Sequence, residues 1–262
     1  MILIGGRMAV AEFLFHAELN RFIAPALRAR RFSHPCARNA TVKHMIEVFG
    51  VPHTEVGAVW INGVPVDFST LLREGDRVEV RPWHASRNEE RAMLRRAHGE
   101  RFVADAHLGQ LARNLRMLGF DVLYRNDFSD AEVAALSATE DRIVLTRDRD
   151  LLIRKQIEHG CFLHATHADE QVMEVLRRFR LADAVQAFSR CLSCNAPLQA
   201  AAPEEVAARV PPQSHASHER FFECVGCERV YWEGSHVVRM RARIAQWLER
   251  AQLSETARAP VR

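Results

Sequence analysis

Two pairs of cysteines, Cys191-Leu-Ser-Cys194 and Cys224-Val-Gly-Cys227, carry the most specific chemistry in the sequence. Each C-x-x-C pair sets two thiolates on one tight turn, and four thiolates suit tetrahedral Zn²⁺. Such a site is closed by its protein ligands, so its role is structural. His215 and His218 lie between the pairs and could replace a ligand, but two complete pairs make that unnecessary. A second chemistry lies upstream. Asp105, Asp130, Asp148 and Asp150 fall at predicted strand ends and at a helix start. Carboxylates converging there would repel unless a cation neutralised them. Mg²⁺ or Mn²⁺ is hard and oxygen-liganded, and can hold a phosphate and an attacking water together. Each acid also has a plainer reading. Asp130 suits the first turn of a helix. Asp150 could cap the helix that follows it, and Asp148 has a similar alternative. Asp105 closes an apolar strand and needs a partner.

The elements that must position these acids alternate. Strands are predicted at Phe102–Asp105, Val122–Tyr124, Ile143–Leu145 and Phe162–His164. Between them run a helix with Leu108, Leu111, Leu115 and Leu118 on one face, a helix from Ser129 to Ala138 and a helix from Asp150 to His159. Ser129 and Glu132 make a capping box for the second of these. An amphipathic helix, Asp169 to Arg180, follows. Alternation of this kind predicts a parallel sheet covered by helices, with ligands at the carboxyl ends of the strands. Arg113 and Arg116 lie off the leucine stripe, and Arg147 and Arg149 flank the Asp148 motif; all four are candidate phosphate contacts. The plain alternative is a solvated helix face.

The first segment reads as a strand (Ala9–Phe15), a helix capped by Thr41, a hairpin about Asn62-Gly63, and a last strand Arg77–Arg81. That is a β-grasp order, similar to the ubiquitin-like fold of small sulfur carriers. Carriers of that kind end in Gly-Gly; here the strand runs into Arg81-Pro-Trp-His, which opposes a carrier role and favours a docking or substrate-binding module. The expected division is 8–82 for this unit, 83–100 for a polar, arginine-rich linker, 101–185 for the α/β unit, and 186–250 for a zinc ribbon with a basic amphipathic helix.

No run of eighteen apolar residues occurs, so no membrane span is expected. The N-terminal stretch does not have the form of a signal peptide, which gives a cytoplasmic expectation. The net charge of +3 is too small to argue for nucleic acid by itself. Lysine occurs only at Lys43 and Lys155, so the cations are nearly all arginine, either for bidentate phosphate contact or through codon bias.

The run Phe102-Val-Ala-Asp-Ala-His-Leu-Gly-Gln-Leu-Ala-Arg-Asn-Leu-Arg-Met-Leu-Gly-Phe-Asp121, with Phe128-Ser-Asp130 and Leu145-Thr-Arg-Asp-Arg-Asp150, resembles the Mut7-C RNase family of PIN-like nucleases. The ribbon from Cys191 to Trp232 resembles its usual C-terminal half, and the first segment the ubiquitin-like domain often fused ahead of it. The resemblance implies a metal-dependent ribonuclease with Asp105, Asp130, Asp148 and Asp150 as its acids and RNA as partner. A protein partner held through the ubiquitin-like unit is a further expectation, from its reading as a docking module. A non-catalytic RNA-binding or adaptor protein with the same fold is the competing expectation.

Overall fold

The computed structural model describes residues 9–83 and 101–256. The first unit is a mixed five-stranded sheet with one helix. Its elements are β1 (Val10–Phe15), β2 (Phe32–Pro35), α1 (Val42–Val48), β3 (Val56–Ile61), β4 (Val64–Val66) and β5 (Arg77–Pro82). The order is β2-β1-β5-β3-β4, with β5 parallel to β1 and the other pairings antiparallel. Buried positions alternate along β1 and β5, so Phe13, Phe15, Val78 and Val80 face Met45 and Ile46 of α1. Thr41 caps α1 by accepting from the His44 N–H at 3.2 Å. Asn62 and Gly63 both turn at positive φ (54° and 83°), the hairpin geometry expected of Asn-Gly. Strand β2 is the element that sequence patterning does not reveal. It is four residues long and ends in Pro, and its place depends on Phe32 stacking against Phe13 and Phe15.

The second unit is a four-stranded, wholly parallel sheet in the order β7-β6-β8-β9. Its strands are β6 (Arg101–Ala104), β7 (Asp121–Leu123), β8 (Ile143–Thr146) and β9 (Gly160–Phe162). The connecting helices are α2 (Gly109–Met117), α3 (Asp130–Glu140) and α4 (Arg149–Leu152), and α5 (Ala168–Phe179) follows β9. Both faces are covered, which is why β8 is apolar and buried throughout. Phe102, Ala104 and Leu145 pack with the leucine stripe of α2 and with Val172 and Leu176 of α5. Val103 and Val144 pack with Val133 and Ala134 of α3 and with Leu151 and Leu152 of α4. The Ser129–Glu132 capping box forms as expected. The helix expected to run to His159 stops at Leu152. Ile157 is drawn wholly into the core, and its carbonyl meets His53 of the first unit at 2.7 Å. Those tertiary contacts replace two further helical turns.

Three antiparallel strands follow: β10 (Leu198–Ala201), β11 (Phe221–Cys224) and β12 (Val230–Trp232). Short helices α6 (Pro203–Val206) and α7 (Pro212–Ser217) fill the β10–β11 connection. The final helix, α8 (Ser235–Thr256), does not stay with these strands. Its Ile244, Trp247 and Ala251 enter the core formed by β6, α2 and α5. The C-terminal helix therefore closes the α/β unit. The expected 83–100 linker lies outside the described residues except for Trp83, whose indole N–H donates to the Thr54 carbonyl at 2.6 Å. None of the described helices is long and apolar enough to cross a membrane.

The first unit grips the β9 edge of the parallel sheet. Glu55 accepts the Phe162 N–H at 2.8 Å and pairs with Arg178 of α5 at 2.9 Å. Arg178 also donates to the carbonyls of Thr54 and Gly160. Burial pushes the Glu55 carboxyl up, and the Arg178 charge opposes that rise. At Glu55 desolvation outweighs the attraction, whereas at Arg178 burial is outweighed by the Glu55 charge together with its neighbours, and the guanidinium is raised. The opposing effects nearly balance, as is usual for a buried ion pair. Removing one partner strands the other charge in the interior. Glu55→Ala should cost about 3–5 kcal/mol, whereas Glu55→Met with Arg178→Met should recover most of that loss. Urea unfolding of the full chain measures both; a neutral Glu55→Ala would mean that the pair does not hold the two units together.

Candidate functional site

In the parallel sheet, β6 leads through α2 to β7 on one side, while β8 leads through α4 to β9 on the other. The connections diverge between β6 and β8, and a crevice opens at the carboxyl ends of such neighbouring strands. Asp105 follows β6 there, and Thr146 ends β8. The Asp105 N–H donates to the Leu145 carbonyl at 3.0 Å, so the ladder extends into the acid itself. The Thr146 hydroxyl, fully buried, donates to Asp105 Oδ2 at 2.7 Å and accepts the Asp148 N–H at 2.9 Å. One hydroxyl thereby links the first acid to the backbone that carries the second. Thr146 is not among the residues that spacing alone singles out; its only sequence signal is a threonine closing an apolar strand ahead of Arg-Asp.

The other acids are placed differently. Asp148, not Asp150, caps α4: its Oδ1 accepts the Asp150 N–H at 2.8 Å. The cap falls to Asp148 because its backbone is extended while Asp150 is already in the first helical turn. Asp150 is exposed and lies against Arg149 at 3.4 Å. Asp130 opens α3 and is tied to Arg154 at 2.9 Å. Among the described residues, the only group of three or more potential metal ligands drawn within 4.8 Å of one another is the cysteine set. Asp105 and Asp148 are thus connected through Thr146, while Asp130 and Asp150 stand at the same edge with cationic partners of their own.

The four candidate arginines divide. Arg147 and Arg149 are exposed and line an open groove with Asp148 and Asp150. Arg113 is exposed on α2. Arg116 is buried, against expectation. It donates to the Val122 carbonyl at 2.8 and 3.0 Å and to the Ser193 carbonyl at 2.8 Å. The helix face that looked free is covered by the Cys191–Cys194 turn, so Arg116 cannot reach a phosphate.

The four cysteine sulfurs lie within 4.8 Å of one another. Cys194 and Cys224 approach to 3.3 Å, and Cys191 and Cys227 to 3.7 Å. Sulfurs bound tetrahedrally to zinc stand roughly 3.8 Å apart, so the cluster can hold such a metal. Backbone N–H groups of Cys194, Gly226 and Cys227 point at Cys191 and Cys224 sulfurs, and the Tyr231 hydroxyl lies 3.1 Å from Cys191. Burial works to raise the Cys191 thiol, but the Cys194 N–H and the Tyr231 hydroxyl lead the donors that outweigh it and bring it down to about 6. Burial and the neighbouring sulfurs push Cys194 up to about 12. Four thiolates cannot all ionise at neutral pH without a cation among them. The nearby histidines are used elsewhere: His215 bonds the Pro203 carbonyl and stacks on Phe221, and His218 bonds the Ser214 carbonyl.

The Mut7-C RNAse domain family profile matches residues 100–244, more than half of the 262-residue chain, and the Mut7-C ubiquitin profile matches residues 8–88. The chain belongs to the Mut7-C RNAse domain family. Comparison with curated proteins gives no match. Among solved structures, the putative molybdopterin converting factor, subunit 1, from Pyrococcus furiosus is 19% identical over 28% of this chain and 97% of its own, with a TM-score of 0.23.

The Mut7-C RNAse match runs unbroken from the parallel sheet through the cysteine strands, and the structure explains why. Asn195, directly after Cys194, reaches back to edge strand β7. Its side-chain Oδ1 accepts the Val122 N–H at 3.0 Å and its Nδ2 donates to Asp121 at 2.7 Å. Arg142 donates to the same Asp121 at 2.7 Å. Gly119, at φ 97°, passes the Gln186 carbonyl so closely that any side chain would collide. Burial works to raise the Asp121 carboxyl, but Arg142 and Asn195 hold it below the usual carboxylate range. A depressed pKa stabilises the fold above the unfolded value, near 4, and that contribution is lost as pH falls through the folded one. Asp121→Asn should therefore flatten the acid limb of Tm against pH, between roughly pH 5 and 2. Breaking the cysteine cluster with Cys191→Ser/Cys224→Ser should speed amide exchange at Val122; unchanged exchange would show that the β7 edge is held independently of the cluster.

Proposed function

We propose that this chain is a metal-dependent ribonuclease of PIN-like type, hydrolysing RNA phosphodiester bonds at the carboxyl edge of the parallel sheet. The observation that carries the reading is the Asp105–Thr146–Asp148 link at the point where the strand connections diverge, within a Mut7-C RNAse domain. Thr146 engages only Oδ2 of Asp105, and the Asp150 N–H only Oδ1 of Asp148. The second oxygen of each carboxylate lies outside these bonds and can serve as a ligand. One or two carboxylates, completed by water and phosphate oxygens, is the usual protein share for magnesium. Asp105 and Asp148 would hold Mg²⁺ or Mn²⁺, which would supply positive charge to the phosphate and acidify water there.

The chain's own residues do the rest. Thr146 fixes the Asp105 carboxylate and so the direction of its remaining lone pairs. Asp150, exposed at the groove, orients the attacking water, and Asp130 completes the acidic edge where Arg154 releases it. Arg147 and Arg149 contact phosphate oxygens on either side of the scissile bond, with Arg113 available on the neighbouring helix. The four cysteines hold one zinc ion with a structural role. The ubiquitin-like domain docks a partner or the substrate, and the reduced cysteine pairs suit the cytoplasm. The working division is a ubiquitin-like domain to about residue 82 and an RNase domain that includes the zinc ribbon and the last helix.

Cleavage of a mixed-sequence RNA, followed against Mg²⁺ and Mn²⁺ concentration, tests the reading. Asp105→Asn and Asp148→Asn should abolish cleavage with the fold intact. Thr146→Val should lower it about 10- to 100-fold, the usual cost of losing a group that orients a ligand. Asp150→Asn should weaken it less. If Asp105→Asn cleaves like the wild type in preparations free of contaminating nuclease, the chain is an RNA-binding adaptor. Elemental analysis should find about one zinc per chain, lost in a Cys191→Ser/Cys224→Ser variant.

A further inference from the structure

The groove beside Asp148 is built by both domains. On the RNase side it is lined by Arg147, Asp148, Arg149 and Asp150, with Phe162 and His164 from the end of β9. The opposite wall is Arg21 and Phe22 of the ubiquitin-like domain, at the close of the 3₁₀ turn Ala17–Arg21. The open space is about 550 Å³. A second groove continues from it along Arg21, Phe22, Arg28 and Arg149. Phe22 meets the Phe162 ring edge-on at 5.1 Å, and His164 lies 5.7 Å from Phe22 and 4.9 Å from Phe162. All three rings are only partly buried, while Arg21, Arg147 and Arg149 are exposed.

A tier of aromatic rings rimmed by arginines, beside an acidic edge, has the composition of a single-strand nucleic-acid site. Unpaired bases stack on rings, and cations follow the backbone. A paired duplex offers phosphates to the arginines but no free base face to the rings. Glu55 and Arg178 fix the first domain against β9, so Phe22 is held at the groove by the same contact that joins the domains.

We propose that the ubiquitin-like domain forms one wall of the substrate groove, and that Arg21 and Phe22 bind a single-stranded RNA segment leading to the acidic edge. The proposal rests on the ribonuclease reading for the direction of the strand, but binding is measurable apart from cleavage. Arg21 carries a phosphate, and Phe22, Phe162 and His164 form the platform for one or two bases.

The test uses the full-length chain and fluorescently labelled RNA of one sequence, single-stranded or annealed to its complement. Binding is read by anisotropy in EDTA, after the zinc content has been shown to survive. Cleavage is read separately with Mn²⁺. The wild type should bind the single strand at least about tenfold more tightly than the duplex, since one stacked base contributes that much or more. Phe22→Leu keeps an apolar side chain at the domain contact and should weaken single-strand binding about tenfold. Arg21→Glu should weaken it further, and Arg21→Ala should make the salt dependence shallower by about 0.7 in log–log slope, one phosphate contact on a single strand. Thermal unfolding checks that each variant keeps the wild-type fold; Arg21, being exposed, tests the proposal even if Phe22→Leu proves unstable. Single-strand binding that Arg21→Glu leaves unchanged, or a preference for duplex, overturns the proposal, even if the protein cleaves RNA. Arg21-dependent single-strand binding supports it, even if no cleavage is found and the ribonuclease reading fails.

Discussion

Parallel pairing of β6 with β8 is the constraint on which the rest depends. Their registers match Phe102 with Ile143 and Ala104 with Leu145, and the Asp105 N–H continues the ladder onto the Leu145 carbonyl. Because the strands run the same way, both release their chains at one edge. Because their connections leave in opposite directions, a crevice opens between them. Asp105 and Thr146-Arg-Asp148 are therefore brought side by side from positions some forty residues apart, |i−j| being 41 for the Thr146–Asp105 bond. A buried hydroxyl at the end of β8 then supplies the partner that a buried carboxylate needs.

A four-stranded parallel sheet also has two edges, each presenting unpaired N–H groups. Both are closed here by side chains from outside the sheet. At β7 the Asn195 side-chain Oδ1 accepts from Val122; at β9 the Glu55 carboxylate accepts from Phe162. The cysteine turn and the ubiquitin-like domain are thus not separate beads on a chain. Each ends one side of the sheet, and each anchor is reinforced by an arginine: the buried Arg116 for the cysteine turn, the part-buried Arg178 for the ubiquitin-like domain. This explains why a chain with few lysines uses arginine inside as well as outside. A planar guanidinium satisfies several carbonyls at once and keeps its charge when buried.

Much of the architecture was legible in the sequence. The leucine stripe of α2, the Ser129–Glu132 box, the Asn62-Gly63 turn and the doubled C-x-x-C pairs are local patterns whose physics acts over a few residues. Periodicity, capping and ligand spacing do not need the fold to be known. That is why the parallel α/β unit, the β-grasp unit and the cysteine cluster all stand where the sequence indicated. Where the reading strayed, long-range contacts had overruled the local signal. The helix after Asp148 ends early because Ile157 is worth more in the core than in a further turn, and β2 exists because Phe32 finds three other rings.

The candidate site divides along the same line. The sequence by itself determined which residues could do the chemistry, since carboxylates at strand ends and paired cysteines declare themselves by type and spacing. Only the tertiary structure decided how they are employed. It joined Asp105 to Asp148 through Thr146, made Asp148 the helix cap in place of Asp150, and gave Asp130 to Arg154. It buried Arg116 against the cysteine turn and carried Arg21 and Phe22 from another domain to the groove. These assignments are set by which surfaces meet when the sheet edges are closed, and the free energy of that closure is shared among residues far apart in the chain.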